Sequence, residues 1–264
     1  MKQRIITGII AAAIFLPIVF IGGIPFLVLM YVMASVGLYE LLKMQKTSIF
    51  TVPGILSLLL LWIFLVPTEY ESWFRNLMFS KIEIFLLGIL LFLIYSVIVK
   101  NRYTFDHVSR AVLSVLYVGI GFYYMIETRW TDNGLILMFF ALMLIWATDS
   151  GAYFTGRSFG KRKLWPEISP KKTVEGSVGG IFYAIVVAFA FYFFSDLNIP
   201  FIQLLAMSVL LSIIGQMGDL VESAFKRHYG VKDSGNILPG HGGILDRVDS
   251  WLFVFPFLYF FLSL

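Results

Sequence analysis

Long apolar runs separated by short polar segments dominate the chain. Nine runs stand out, at residues 5–21, 25–42, 53–66, 82–99, 111–126, 134–147, 178–194, 201–220 and 248–264. Because they are longer than the roughly 10 residues of a membrane β-strand and do not alternate polar with apolar positions, they predict helices. The third and sixth runs are shorter than the roughly 20 residues that usually cross a bilayer.

The composition supports a membrane location. Of the 264 residues, 59% are hydrophobic and only 14% are charged, whereas roughly 25% of the residues in soluble domains are charged. We therefore expect an all-α integral membrane protein, a polytopic bundle of about nine transmembrane helices. Two polar loops, 149–177 and 222–247, are too short to build a core of their own. We divide the chain into an N-terminal transmembrane region, 1–148, and a C-terminal region, 149–264, that form one integrated unit.

The basic residues predict the orientation of the bundle. If the N-terminus is cytoplasmic, 17 of the 20 Lys and Arg residues lie on the cytoplasmic side and 3 lie outside. This asymmetry predicts a protein of the cytoplasmic membrane with both polar loops in the cytoplasm and an external C-terminus. A net charge of +4 is compatible with nucleic acid or anionic lipid as a partner, but the sequence has no nucleic-acid motif. Anionic membrane lipid is therefore the favoured partner, and nucleic acid is not. The absence of cysteine excludes disulfides and thiolate metal sites.

Three aspartates are expected at the cytoplasmic rim of the bundle. Asp219 lies about 27 Å along the eighth run at about 1.5 Å per residue, and Asp246 and Asp249, on either side of the start of the ninth run, lie at the same depth. Hard oxygen ligands at such a rim favour Mg²⁺, which binds through one or two carboxylates and completes its shell with water and phosphate. We predict Mg²⁺ at Asp219, Asp246 and Asp249, with the number of cations, one or two, left open. The alternative is a set of ion pairs with Lys226 or Arg247, and a Glu222–Lys226 pair is as plausible as a role for Glu222 in the site.

The segment PGHGG, residues 239–243, adds an expected anion site. Its glycines can expose backbone N–H groups and adopt positive φ, which allows a chain to wrap around a phosphate. His241 then either donates to a phosphate or closes the loop by hydrogen bonding.

The first polar loop contains a second basic motif. GRSFGK is one residue short of the phosphate-loop spacing, so a P-loop ATPase is rejected. Ser169 followed by Pro170 predicts a helix start, and Lys171 and Lys172 in its first turn favour a bound polyphosphate or lipid phosphate. The alternative is a solvated patch that only sets topology. Asp149 is a candidate for binding a metal or a substrate hydroxyl.

These residues together resemble the phosphatidate cytidylyltransferase family, also called CDP-diacylglycerol synthases. The segment SAFKRHYGVKDSGNILPGHGGILDRVD, Ser223 to Asp249, is similar to the family signature, and DSGAYFTGRSFGK and SPKKTVEG resemble further family patterns. The resemblance implies transfer of the cytidylyl group of CTP to phosphatidic acid, which gives CDP-diacylglycerol and pyrophosphate in an Mg²⁺-dependent reaction. It implies a catalytic group of Asp219, Ser223, Lys226, Arg227, His241, Asp246, Arg247 and Asp249. Substrate binding is expected of Asp149, Lys161, Lys171, Lys172, Glu175, Lys232, Asp233, Gly242 and Gly243.

Three other classes of protein compete with this interpretation. A secondary transporter places ionisable groups near the bilayer midplane, whereas the central parts of the nine runs carry no charge. A second competitor is another membrane transferase, which acts on a lipid alcohol or a polyprenyl phosphate, or a cytidylyltransferase for another phosphorylated lipid. The CDP-alcohol phosphotransferase motif D-G-x-x-A-R is absent. A nonenzymatic lipid-binding scaffold predicts that function survives Asp246→Asn, whereas an enzyme predicts its loss. The small residues at 176–180, GSVGG, can pack helices within one chain or between the two chains of a homodimer.

Overall fold

A computed structural model describes residues 2–72 and 79–263, and within them the chain folds into nine α-helices and one short hairpin. The helices are α1 (Lys2–Ile21), α2 (Gly23–Met44), α3 (Val52–Phe64), α4 (Lys81–Ile98), α5 (Phe105–Trp130), α6 (Gly134–Phe159), α7 (Val174–Phe194), α8 (Phe201–His228) and α9 (Leu245–Leu262). A 3₁₀ turn covers Thr68–Tyr70, and β1 (Lys163–Trp165) pairs antiparallel with β2 (Ser169–Thr173). The predicted all-α membrane fold is confirmed.

Local sequence signals fix several helix starts. The Thr51 side chain accepts a hydrogen bond from the Gly54 N–H at 3.4 Å at the start of α3. Ser80 and Glu83 form a reciprocal capping box at the start of α4, which satisfies N–H groups that have no partner inside the helix. These caps fix the residues at which α3 and α4 begin.

The helices pack around α5, which contacts α2, α3, α4, α6 and α9. The second half of the bundle pairs α6 with α7, α7 with α8 and α8 with α9. Fully buried side chains at the centre include Phe26, Met30, Phe122, Phe140 and Phe255. The outer surface is also apolar, as expected of a bundle whose surroundings are lipid.

Six helices, α2 and α4 to α8, are long and apolar enough to cross a membrane. The third run forms a helix of only 13 residues, as its short apolar pattern predicts. The sixth run behaves differently, because α6 extends to Phe159 and has 26 residues. The prediction that the polar loop begins at residue 149 is therefore wrong at this boundary, and Asp149 lies on a helix. In the same way, residues 222–228 of the second predicted loop continue α8.

Close packing of small residues explains the extension of α6. A β-carbon at Gly176 would lie 2.7 Å from the Ala152 carbonyl oxygen, and one at Gly180 would lie 2.9 Å from the Thr148 oxygen. Glycines therefore let α7 touch the backbone of α6, as small residues do at membrane helix interfaces. The GSVGG cluster packs helices within this chain.

The predicted helix start at Ser169 and Pro170 is also wrong. Both residues belong to β2, and α7 begins five residues later at Val174. The Thr173 hydroxyl accepts a hydrogen bond from the Gly176 N–H at 3.1 Å and so acts as the N-cap. Lys171 and Lys172 lie on β2, which pairs with β1, and therefore do not belong to the first turn of a helix.

Candidate active site

Three aspartates from three helices face one another at one end of the bundle. Asp149 on α6, Asp219 on α8 and Asp249 on α9 are close enough for their charges to interact pairwise. Gly218 explains how α8 and α9 approach so closely, because a β-carbon at this position would lie 2.7 Å from the Asp249 carbonyl oxygen. A glycine immediately before Asp219 therefore brings two of the predicted site carboxylates together.

Asp219 is paired with a lysine of the hairpin. The Lys172 Nζ lies 2.6 Å from Asp219 Oδ2, and the Ser223 hydroxyl donates to Asp219 Oδ1 at 3.3 Å. Both side chains of the ion pair remain about 30% exposed, so the pair is open to solvent and exchange. The structure thus brings Asp219, Ser223 and Lys172 together.

Asp246 has a different environment from Asp219 and Asp249. Its Oδ1 contacts Lys226 Nζ at 2.7 Å. Its Oδ2 accepts hydrogen bonds from the Ser234 N–H at 2.8 Å, the Ser234 hydroxyl at 2.9 Å and the Gly243 N–H at 2.8 Å. Both oxygens are therefore occupied, and Asp246 organises the loop before α9.

Lys226 lies between two carboxylates that come from different helices. Besides Asp246, it forms an ion pair with Glu222 one turn earlier on α8. The Glu222 side chain is 1% exposed, and Lys226 is its ion-pair partner among the described residues. The Glu222–Lys226 pair that the helical spacing allows is thus present, and the Lys226 ammonium is engaged by protein carboxylates instead of facing a phosphate.

The expected three-carboxylate ligand set is not assembled as the sequence suggested. Within residues 2–72 and 79–263, no group of three or more His, Asp or Glu side chains is arranged to hold a metal ion. Asp246 departs from that set because Lys226 and the loop N–H groups take its oxygens. The donors at Asp219 and Asp249 still fit Mg²⁺, which needs only one or two carboxylates when phosphate and water supply the rest. The negative charges of Asp149, Asp219 and Asp249, which act on one another, also favour a bound cation.

The PGHGG loop does not expose the row of N–H groups that was predicted. Gly242 adopts a φ of +88° and its N–H bonds to the Leu238 oxygen at 3.1 Å, as does the His241 N–H at 2.9 Å. The Gly243 N–H is taken by Asp246. The prediction of a phosphate cradle is wrong for these three groups, because the turn closes on itself and on a carboxylate.

His241 packs against the first helix. Its Nε2 lies 3.5 Å from the position that a β-carbon would take at Gly8, and its Nδ1 is buried without a hydrogen-bond partner in the described part of the chain. The neighbouring Pro239 carbonyl accepts a hydrogen bond from Thr7 at 3.1 Å. The loop is therefore fastened to α1 on this side.

A cleft of about 350 Å³ lies beside the aspartates, between α6, the hairpin, α7 and α8. Its polar lining combines predicted with unpredicted residues: Asp149, Tyr153, Arg157, Lys171, Lys172, Ser177, Gln216 and Asp219. Arg157 and Gln216 were not singled out from the sequence, although Arg157 belongs to the GRSFGK segment. The size and mixed lining are typical of small-molecule sites.

Two residues predicted for the site, Glu175 for substrate binding and Arg227 for catalysis, make contacts within the protein beside this cleft. Glu175, in the first turn of α7, accepts hydrogen bonds from the Lys161 N–H at 3.0 Å and the Arg162 N–H at 3.2 Å. Arg227 Nε donates to the Ile168 carbonyl at 3.3 Å and so fastens α8 to the hairpin. Glu175 and Arg227 therefore have structural contacts where the sequence suggested substrate contacts.

The remaining predicted residues lie on the exposed side of the site. Arg247 is exposed at the start of α9 and is close enough for its charge to act on Asp149. Lys161, Lys232 and Asp233 are exposed as well. Gly242 sits where a β-carbon would lie 2.5 Å from Asp246 Oδ2, so its small size serves the loop.

Glu40 is a further residue that the sequence did not indicate. Glu40 on α2 is 1% exposed and accepts hydrogen bonds from the Ile244 and Leu245 N–H groups, both at 3.0 Å. The only sequence signal is a single acid inside an otherwise apolar run. Its contact with a loop some 200 residues later could not be inferred from periodicity.

Comparison with known proteins gives a consistent result. The protein-family sequence model described as "Cytidylyltransferase family" matches residues 2–264. A protein named phosphatidate cytidylyltransferase from Bacillus subtilis (strain 168) is 58% identical over 265 residues, which covers 100% of this chain and 98% of the relative. Proteins of the same name from Staphylococcus haemolyticus (strain JCSC1435) and Staphylococcus aureus (strain COL) are 47% and 45% identical, each over 98% of this chain and 97% of the relative. The chain belongs to the cytidylyltransferase family.

Proposed function

We propose that this protein transfers the cytidylyl group of CTP to phosphatidic acid and releases CDP-diacylglycerol and pyrophosphate, a step of phospholipid biosynthesis. The end-to-end match to proteins named phosphatidate cytidylyltransferase carries this proposal. The cleft supports it, because lysines and carboxylates meet there at one end of an apolar bundle. A water-soluble nucleotide and a membrane lipid can meet at such a rim.

The reaction requires little acid–base chemistry. An oxygen of the phosphatidate phosphate attacks the α-phosphorus of CTP, a new P–O bond forms, and the bond from the α-phosphorus to the β-bridging oxygen breaks. Because the attacking phosphate is already ionised, no strong general base is needed. Catalysis then rests on positioning the two phosphates and neutralising their charge.

The cations that line the cleft are suited to the nucleotide. Lys171 and Lys172 lie on β2, and Arg157 lies on α6. They would bind the triphosphate, and Lys172 would exchange Asp219 for a phosphate oxygen as it does so. Arg247, exposed beside the aspartates, would hold the lipid phosphate by bidentate contact.

The aspartates are suited to Mg²⁺. Asp219 and Asp249 would hold the ion, with Asp149 beside them. Asp246 is the least suited of the proposed ligands because its side chain is 6% exposed and is held by Lys226 and the loop N–H groups, whereas the Asp219 side chain is 31% exposed. Bound Mg²⁺ supplies charge stabilisation for the pyrophosphate leaving group. We place the site on the cytoplasmic side, with the C-terminus outside, because of the lysine and arginine asymmetry.

The test is turnover by the purified protein in detergent with phosphatidic acid, Mg²⁺ and CTP labelled at either the α- or the γ-phosphate. We expect the α-label in the lipid and the γ-label in pyrophosphate. Appearance of the γ-label in the lipid would mean kinase chemistry. Absence of any labelled lipid, while CTP still binds, would overturn the choice of phosphatidate as the acceptor.

A further inference from the structure

The buried carboxylate of Glu40 is not used by the chemistry proposed above. It comes from α2 in the N-terminal half. Within the described residues, its hydrogen bonds come from the loop before α9 and from the first residue of α9. The Ile244 and Leu245 N–H groups donate to its two oxygens at 3.0 Å, and the Ser234 hydroxyl donates to Oε2 at 3.1 Å. The first N–H groups of a helix have no partner within the helix and carry its positive dipole end. Glu40 therefore supplies the α9 N-terminus with acceptors and a negative charge.

Two glycines leave space for this carboxylate. A β-carbon at Gly235 or at Gly243 would collide with the Glu40 carboxylate oxygens. Neither glycine is among the residues with positive φ, so the backbone conformation does not require glycine at either position. The close approach of Glu40 does, so Gly235 and Gly243 accommodate a side chain from another helix.

Glu40 is continuous with the charged groups of the site. The Ser234 hydroxyl lies 3.1 Å from Glu40 and 2.9 Å from Asp246 and donates its single proton to one of them at a time. Asp246 contacts Lys226, which contacts Glu222. A polar chain therefore runs from α2 through the loop to α9 and α8.

We propose that Glu40 is a positioning residue, which fixes the loop 234–243 and the first turn of α9 so that Arg247 and Asp249 stay beside the cleft aspartates Asp149 and Asp219. It lies outside the set of residues that line the cleft. Its effect on catalysis rests on the proposed function, whereas its effect on the loop does not.

The test compares Glu40→Gln with Glu127→Gln. Gln has the shape of Glu but places an NH₂ group against backbone N–H donors, so the α9 start loses an acceptor. Glu127 is a matched control because it is also buried, at 8% exposure, and accepts a backbone N–H, from Thr68 at 2.8 Å, in a part of the chain remote from the loop. Amide hydrogen exchange, kcat and the Kd for CTP are measured for both variants and for the unmodified protein.

For Glu40→Gln we expect faster exchange confined to residues 234–247 and a fall in kcat of about 10- to 100-fold, the range seen when partners that orient functional groups are removed. The Kd for CTP should stay within about twofold, because Glu40 is not part of the cleft lining. Glu127→Gln should leave the exchange of residues 234–247 and kcat unchanged. Gly235→Ala, which presses on the same carboxylate, should repeat the Glu40→Gln pattern if Glu40→Gln folds poorly.

Two results would overturn the proposal. One is unchanged exchange in residues 234–247 of Glu40→Gln. The other is faster exchange along the whole chain together with weaker CTP binding, which would make Glu40 a general stability residue. If the unmodified protein makes no CDP-diacylglycerol, the proposed function fails, but the exchange comparison still decides whether Glu40 holds the loop.

Discussion

At the scale of single residues, the environment of each charge separates its role from that of its neighbours. Lys226 is 13% exposed and contacts Glu222 and Asp246, whose side chains are 1% and 6% exposed. Lys172 makes the same kind of ion pair with Asp219, but about 30% of each side chain is exposed. Removing one partner of a buried ion pair leaves the other charge buried without compensation. In an exposed ion pair, water solvates the charge that remains.

We therefore predict that Lys226→Met lowers the free energy of unfolding by about 3–5 kcal/mol, the range for breaking a buried pair. Lys172→Met should lower it by at most about 1 kcal/mol. Denaturant unfolding of both variants in detergent, monitored by circular dichroism, measures the two changes in the free energy of unfolding. Equal losses for the two lysines would contradict the assignment of Lys226 to a buried structural pair.

At the scale of elements, the contact between α8 and α9 determines the distance between Asp219 and Asp249. Gly218 allows the α9 backbone to approach, since a β-carbon there would lie 2.7 Å from the Asp249 oxygen. A β-carbon at Gly215, one turn earlier, would lie 3.1 Å from the Val254 Cγ2 atom. This methyl group can move by side-chain rotation. The two glycines therefore differ in what an added methyl group would displace.

Gly218→Ala should separate the helices, at a cost of about 1–3 kcal/mol for overpacking, and should lower kcat because the two aspartates move apart. Gly215→Ala should have a smaller effect, because the added methyl group meets a Val254 side chain that can rotate away and not the α9 backbone. Thermal unfolding and turnover of the two variants provide the test. A fully active Gly218→Ala would show that the close helix contact does not set the site geometry.

At the scale of the whole molecule, the two ends of the bundle differ. One end collects Glu40, Asp149, Asp219 and the start of α9 from both halves of the chain. The other end is held by structural contacts, such as the Lys81 ammonium donating to the Val66 carbonyl at 2.8 Å and Arg129 donating to the Val19 carbonyl at 2.9 Å. The cleft of about 350 Å³ lies at the first end, where charged side chains line it.

The absence of cysteine allows a direct test of which end faces the cytoplasm. Asn236→Cys lies in the exposed loop before α9, and Asp196→Cys lies in the exposed turn between α7 and α8. In intact cells, a membrane-impermeant maleimide should label Asp196→Cys and should reach Asn236→Cys only after the cells are opened. The reverse pattern would place the cleft outside.

The sequence predicted much of the helical fold because apolar periodicity is a local property. It also placed Asp219 and Asp249 at one rim, since counting residues along a helix gives depth. It did not reveal Glu40, whose partner Ser234 is 194 residues away. It assigned Asp246 and Lys226 to metal and phosphate because the identity of a charged residue does not tell whether its partner is a ligand or another side chain. That distinction depends on tertiary packing.

The most direct test of the account is the rate of CDP-diacylglycerol formation as a function of Mg²⁺ concentration, measured for Asp219→Asn beside Asp106→Asn. Asp219 lines the cleft, whereas Asp106 is exposed in the first turn of α5 and does not line it. We predict that Asp219→Asn lowers kcat by about 100-fold or more, as expected for a group that stabilises transition-state charge, and that Asp106→Asn retains the rate and Mg²⁺ dependence of the unmodified protein. An Asp219→Asn enzyme with unchanged kcat and unchanged Mg²⁺ dependence would contradict a carboxylate-centred cytidylyl transfer at this cleft.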